Sequence, residues 1–176
     1  MVDAPSSLLD ANILEILLKV DGINKNIIYG GCTPLYQACS QGHDNVVKLL
    51  LDCDSYLLKW MINRSRESNG CTSLYVASQN GHTEVVKQLL AVPCVEVNRQ
   101  DNNGSTPLKV ASQTGRIEIV KLLLKSKEIN INQHDNNEST PIFIASLSGH
   151  TEIVRLLLQQ PNIDIHKTTN DGDSAL

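Results

Sequence analysis

Aromatic residues are scarce in this chain, and it has no large excess of charge. Tryptophan, tyrosine and phenylalanine make up 3% of its 176 residues. A core must therefore be built mainly from leucine, isoleucine, valine and alanine, which suit closely packed helices. The formal net charge is −4, so no global field attracts nucleic acid, and we expect no nucleic-acid partner. We interpret the locally basic Arg64 and Arg66 as solvated loop residues rather than a phosphate site.

Long apolar runs and paired cysteines are also missing. Charged residues such as Glu15 and Lys19 interrupt the apolar runs, so no segment is predicted to insert in a membrane. The first residues carry an acid and no basic n-region, and we predict no secretory signal. The five cysteines are scattered without a C-x-x-C spacing, which argues against a zinc site. Reduced thiols in a cytoplasmic or nuclear protein are the expectation.

What the sequence does contain is one pattern written four times. It begins with Thr-Pro-Leu or a close variant, at Thr33, Thr72, Thr106 and Thr140, at intervals of 39, 34 and 34 residues. A glycine and then an apolar run such as "VVKLLL" or "IVRLLL" follow each start at matching spacing. Coordinated columns at one period are typical of repeat architectures.

Each column of the repeat has a physical reason. A threonine before proline suits a helix start, because the hydroxyl accepts from an orphan amide and proline fits the first turn. The glycines end this first helix in the left-handed conformation; they are Gly42, Gly81, Gly115 and Gly149. A second helix follows with an acid in its first turn, and then a loop rich in Asn and Asp, typical of a hairpin-like turn. One unit cannot bury its own apolar face, but stacked units can.

The unit "GSTPLKVASQTGRIEIVKLLL" and its copies resemble ankyrin repeats, which share a Thr-Pro-Leu-His-x-Ala pattern. The resemblance implies an all-α solenoid of stacked helix-turn-helix units with β-hairpin-like loops. Where the family usually has His, this chain has Tyr36, Tyr75, Lys109 and Phe143. The hydrogen bonds of that His must therefore be rearranged or absent. Glu138 also replaces a loop glycine in the fourth copy.

The period divides the chain into predicted units. Residues 1–31 would form an N-terminal helix and loop, as a degenerate capping repeat. The repeats are then 32–70 (repeat 1, with an insertion), 71–104 (repeat 2), 105–138 (repeat 3), 139–172 (repeat 4) and 173–176 (the start of a truncated repeat 5). We expect a piece of a longer array whose last apolar flank is open. Leu156, Leu157 and their neighbours should then be partly exposed, or covered by the tail or by a neighbouring molecule.

The insertion in repeat 1 contains the single tryptophan, Trp60. It either covers the flank of the first two repeats or offers an aromatic anchor to a partner. Tyr36 and Tyr75 also allow two interpretations. Either they fill the site of the missing His, or they contact a partner.

The polar columns predict structure rather than catalysis. His43, His82, Arg116 and His150 share one repeat position at a helix boundary, and we predict that they cap helices. Asp101 and Asp135 recur in the loop, where carboxylates bond the backbone of a turn. Successive repeats lie about 10 Å apart, too far for one column to share a metal. We predict no enzyme, no cofactor and no metal site.

The resemblance implies that the concave face, made of hairpin tips and first helices, binds another protein. The predicted contact residues are Tyr29, Ser68, Asn69, Asn102, Asn103, Ser105, Gln113, Asn136, Asn137 and Ser139. The leading hypothesis is a non-catalytic interaction scaffold, monomeric, with weak self-association through its open C-terminal repeat. The alternative is a recruitment or regulatory region of a longer multidomain protein, an enzyme or a channel.

Asn98 has a separate hypothesis of its own. Its surroundings are similar to the pattern that asparaginyl hydroxylases modify in ankyrin hairpins, which makes Asn98 a candidate for hydroxylation, and Asn132 occupies the same column. The alternative interpretation is a structural asparagine in a turn.

Overall fold

The computed structural model describes residue 28, residues 30–52 and residues 55–175. The predicted capping repeat, apart from residues 28, 30 and 31, and the predicted contact Tyr29 lie outside this part of the chain. Nine helices lie within it: α1 Pro34–Gln41, α2 Asp44–Leu51, α3 Ser55–Ile62, α4 Ser73–Asn80, α5 Thr83–Leu90, α6 Pro107–Gln113, α7 Ile117–Leu123, α8 Pro141–Leu147 and α9 Thr151–Leu158.

The first helix of each repeat starts at the predicted threonine. The hydroxyl oxygen of that threonine accepts a hydrogen bond from the backbone amide three residues later in all four repeats. In repeat 1, for example, the amide of Tyr36 lies 3.1 Å from Oγ1 of Thr33. Removal of such a cap costs about 1 kcal/mol, so each repeat carries its own start signal.

Glycine serves the other end of the first helix in two ways. Gly42 has a φ of 74° and caps α1, and Gly115 follows the cap of α6 with a φ of 72°. Both conformations are left-handed and favour glycine. A Cβ at Gly42 would also lie 2.4 Å from Nδ1 of His82. The glycine therefore both ends the helix and makes room for a side chain of the next repeat.

The helices stack in two layers. The first helices α1, α4, α6 and α8 pack in succession, and the second helices α2, α5, α7 and α9 do the same behind them. An alanine of each first helix is at most 2% exposed, which lets the neighbouring helix approach closely; these are Ala38, Ala77, Ala111 and Ala145. The all-α solenoid predicted from the period is confirmed.

The last repeat is open on one side, and the expectation about its leucines is met in part. Leu156 is partly exposed, as expected. Leu157 is completely buried, so the expectation of its exposure was wrong. Leu123, its counterpart one repeat earlier, is also completely buried in the core. The open position is that of Leu158, which is 48% exposed, whereas its counterpart Leu124 is half-buried.

The insertion of repeat 1 forms the extra helix α3. Met61 and Ile62 are fully buried, and Trp60 is half-buried against the core. The helix is therefore packed on the array, with part of the tryptophan left at the surface.

Glu138 has a strained backbone. Its φ is 62°, in the left-handed region, at the position where the other repeats have Gly70, Gly104 and Gly172 with φ values of 75°, 78° and 86°. Its carboxylate lies 3.3 Å from Nζ of Lys167. The turn thus imposes its conformation on a residue with a Cβ, and a surface ion pair offsets part of the cost.

Replacement of Glu138 should separate these two effects. Both Glu138→Gly and Glu138→Ala lose the ion pair, but only glycine relieves the backbone, so we expect the glycine variant to be more stable by about 1 kcal/mol. Urea unfolding would measure the difference. At Glu152, in the first turn of α9, the order should reverse because glycine disfavours a helix. An alanine variant at 138 equal to the glycine variant would contradict the strain.

Candidate protein-interaction surface

The hairpin tips are shaped by their aspartates. Oδ1 of Asp101 accepts from the amides of Asn103 at 3.0 Å and Ser105 at 2.7 Å. Asp135 bonds the corresponding residues of the next repeat, Asn137 and Ser139, in the same way. The role predicted for these carboxylates is confirmed, and the two tips have one shape.

The tips are also bonded to each other along the array. The amide of Asn102 donates to the carbonyl of Asn69 at 2.9 Å, and the amide of Asn136 donates to the carbonyl of Asn103 at 3.0 Å. The side-chain amide of Asn136 further donates to the carbonyl of Asn102 at 3.3 Å. Each tip is thus held in register with the one before it, and Asn136 contributes to the frame as well as to the surface.

The predicted contact residues divide by their exposure. The exposed ones form what we call the tip surface, which consists of Ser68, Asn102, Asn103, Gln113, Asn136 and Asn137. Asn69 is half-buried. Ser105 and Ser139 are only 6% exposed each, because the turn folds them back toward the first helix. They are removed from the predicted surface, since a partner cannot reach them.

Below the tips lie the residues that replace the usual His of the resembled family. Tyr36 and Tyr75 are 5% and 6% exposed, which favours the first of the two interpretations, that they fill the site of the missing His. Tyr75 bonds Ser105 and Asp101 of the next tip, and burial raises its pKa. The hydrogen bonds are rearranged rather than absent.

In repeat 3 the same position makes an ion pair. Nζ of Lys109 lies 3.0 Å from Oδ2 of Asp135, and the two side chains are 6% and 10% exposed. Burial by itself would raise the pKa of Asp135, but the bonds from Lys109, Ser139 and Asn137 outweigh it and lower that pKa below its ordinary value. The carboxylate therefore stays ionised beneath the tip at neutral pH.

The histidine column does not cap helices, as the sequence had suggested. His82, Arg116 and His150 occupy N-cap positions but make no side-chain bond to the helix. His82 instead contacts the carbonyl of Ser40 at 3.1 Å, Arg116 donates to that of Gln79 at 3.2 Å, and His150 contacts that of Gln113 at 3.0 Å. Because those carbonyls lie at the end of the preceding first helix, these three residues join neighbouring repeats. His43, the first member of the column, also makes no cap bond, and it contacts Oε1 of Gln41 in its own repeat at 2.8 Å.

A ladder of asparagines makes a second connection between repeats. Nδ2 of Asn98 donates to the carbonyl of Glu128 at 2.6 Å, and Oδ1 accepts from the amide of Asn130 at 2.9 Å. Asn132 bonds the next loop in the same two ways, and so does Asn63, whose bonds are 2.7 and 2.8 Å. The sequence reasoning missed Asn63, although its place in "INR", parallel to "VNR" at Asn98, was a usable signal.

Family models cover most of this frame. The model for "Ankyrin repeats (3 copies)" matches residues 53–135, and the model for "Ankyrin repeat" matches residues 30–58 and 137–170. The chain belongs to the ankyrin repeat family. Ankyrin repeats are generally protein–protein interaction modules and are typically non-catalytic. A search of the curated proteins gives no significant match.

The described part of the ankyrin array also bears on metal, membrane and thiol chemistry. Within that part, no group of three or more His, Cys, Asp or Glu side chains is placed to hold a metal ion. None of the helices described is long and apolar enough to cross a membrane. Burial raises the pKa of the Cys71 thiol to about 11, which disfavours the reactive thiolate.

Asp135→Asn should be the most pH-sensitive substitution beneath the ankyrin tips. It leaves Lys109 buried without its counter-charge, so we expect a loss of about 3 kcal/mol at neutral pH. Because the folded pKa of Asp135 is lowered, its contribution in the parent chain is complete above the ordinary carboxyl range and is lost as pH falls through the folded value. The difference between the two chains should therefore shrink in acid.

Urea unfolding at a series of pH values would measure this difference. Asp164→Asn is the matched control, since Asp164 is exposed and its carboxylate accepts one amide bond, from His166 at 3.0 Å. A gap at Asp135 that stayed constant down to strongly acid pH would contradict the account of the ion pair.

Asn98→Asp tests the asparagine ladder of the ankyrin array. Aspartate keeps an acceptor for the amide of Asn130 but cannot donate to the carbonyl of Glu128, and it places two acceptors against each other. We expect the free energy of unfolding to fall by about 2 kcal/mol. Asn103→Asp is the control, because the Asn103 side chain makes no hydrogen bond within the described residues. Similar losses at the two sites in chemical denaturation would refute the role of the ladder.

Proposed function

We propose that this ankyrin array is a non-catalytic scaffold that binds another protein through its tip surface and the adjoining ends of its first helices. The observation that supports this most directly is the state of the amides at the tips. The side chains of Asn103 and Asn137 are exposed and make no hydrogen bond within the described part of the chain. Their donors and acceptors are available to a partner.

The frame below these amides is held rigidly. Their backbone amides are bonded to Asp101 and Asp135, and their carbonyls accept from the next tip. A partner would therefore meet groups that are already in place, which lowers the entropic cost of association.

An apolar residue lies at one end of the same face. Leu147 is 71% exposed, at the repeat position that Gln113 and Gln79 occupy in the preceding repeats. Hot spots in interfaces are few and lie among weaker contacts. We therefore propose recognition by hydrogen bonds along the tips, with Leu147 as an apolar contact at the end of repeat 4.

Two other hypotheses remain predictions. Hydroxylation of Asn98 would act on a side chain whose donor and acceptor already join two repeats. Location in the cytoplasm or nucleus is likewise a prediction, made from the use of cysteine.

The proposal can be tested by comparing two matched triple variants. The tip variant changes Asn103, Gln113 and Asn137 to Arg. The control variant makes the same change at three exposed residues outside the tip surface, Asn45, Gln159 and Asn162. Both add the same charge. Partners captured from cell extract by the parent chain are identified by mass spectrometry and produced in pure form, and their affinity for each variant is then measured.

We expect the tip variant to bind at least about tenfold more weakly, because bulky charge replaces amides that bond the partner, while the control variant binds like the parent. If the two variants weaken binding equally, either the binding face lies elsewhere or the loss of affinity comes from the added net charge alone. Thermal unfolding of both variants would check that the array itself is unchanged.

A further inference from the structure

A cleft lies beside the insertion of repeat 1, and Trp60 of that insertion is part of its lining. It has a volume of about 440 Å³ and lies between α3 and the first two inter-repeat loops. Three arginines and the only tryptophan are among its lining residues, and we call this set the arginine cleft: Trp60, Arg64, Arg66 and Arg99. The carboxylate of Glu67 also lines the cleft. With three arginines against one glutamate, the lining still has an excess of positive charge in a chain whose net charge is −4.

The asparagine ladder brings two of these arginines together. Arg64 directly follows Asn63, and Arg99 directly follows Asn98. Asn63 bonds the carbonyl of Cys94 and the amide of Glu96, so it holds the loop of Arg99 beside its own. The separation of Arg64 and Arg99 in the sequence hides the fact that both line one cleft.

The third arginine is fixed by the hairpin. The amide of Arg66 donates to the carbonyl of Cys71 at 2.8 Å, and its own carbonyl accepts from Gly70 at 2.8 Å. Its guanidinium is near the buried Tyr36, whose hydroxyl raises the pKa of Arg66 above the ordinary value. In the same cleft, Cζ of Arg64 lies 4.8 Å from the centre of the Trp60 ring, a cation–π contact that orients the guanidinium.

Two of these arginines already pair with carboxylates of the protein itself. Glu67 lies 3.8 Å from Arg64, and Glu96 lies 2.9 Å from Arg99. Both glutamate side chains are more than half exposed, and such exposed pairs contribute little to stability. A guanidinium has five donors, so an incoming carboxylate can add to these pairs or replace them at low cost.

We infer that the arginine cleft binds an acidic segment of a partner protein, with Asp or Glu carboxylates placed between Arg64 and Arg99. This inference rests on the proposed scaffold function and specifies the chemistry of the partner. Asn102 belongs both to the tip surface and to the cleft lining, so a chain lying along the tips reaches the arginines without a break. A nucleic acid would need a longer basic track than three arginines.

The test is a titration of the intact chain with a fluorescein-labelled peptide of alternating Glu and Gly, followed by anisotropy at low salt. Emission from Trp60, the single tryptophan, is recorded in parallel with the unlabelled peptide to locate the binding. We expect saturable binding, a change in Trp60 emission, and weaker binding as salt is added. Arg99→Gln should weaken binding about tenfold, and Arg64→Gln should act similarly.

Arg155→Gln is the matched control. Arg155 also pairs with a glutamate three residues earlier, Glu152, at 2.6 Å, but it lies on α9, far along the array. This variant should bind like the parent. If Arg155→Gln weakens binding as much as Arg99→Gln does, the peptide responds only to the net charge of the chain, and the cleft is not a binding site. Thermal unfolding of the variants would establish that each remains folded.

Competing ligands separate the remaining outcomes. A phosphoserine peptide of equal charge, or a single-stranded RNA, that binds where the Glu peptide does not would overturn the carboxylate assignment, as would the absence of saturable binding by all three. The scaffold proposal is tested independently: if the tip variant loses its partner while the arginine variants keep it, the cleft inference fails and the scaffold stands. Loss in the arginine variants and the tip variant together supports both.

Discussion

Burial of each helix pair's apolar face against the next pair is the interaction on which this array depends. A single pair exposes its aliphatic side to water, so the fold exists only as a stack. Hydrophobic burial is not directional, however, and similar leucine faces could slide past one another. Register comes from polar bonds that cross between repeats: the asparagine ladder, the His82 column and the linked hairpin tips.

These crossings explain features that a single repeat does not. Gly42 is required by the ring of His82 in the next repeat as much as by the end of its own helix. Tyr75 and Lys109 occupy the same repeat position but interact differently. Tyr75 brings a phenol to the carboxylate of Asp101, whereas Lys109 forms an ion pair with the carboxylate of Asp135. Both reach the aspartate of the following tip, so the geometry of the contact is kept while its chemistry, and its dependence on pH, changes.

The same division of labour separates frame from surface. Groups that join repeats are bonded on both sides and leave little for a partner, whereas Asn103, Asn137 and Gln113 present free edges on a fixed support. The insertion in repeat 1 departs from this regular pattern. It adds a half-buried tryptophan and, with the next loop, a cleft lined by three arginines, beside a tip surface whose own residues are uncharged. The insertion therefore makes the repeat 1 end of the interaction face different from its repeat 4 end.

The sequence by itself determined the parts that depend on neighbours along the chain. Threonine caps, glycine ends and the aspartate turns each act within four residues, and the period of 34 makes the stack follow from them. Only the tertiary structure decided which surroundings each side chain meets. It decided that Leu157 is buried and Leu158 open, that Ser105 turns inward, that His82 joins repeats rather than capping, and that Arg64 and Arg99 line one cleft. These outcomes depend on contacts with groups about one repeat away in the sequence. A local sequence pattern does not show which of those groups a side chain will contact.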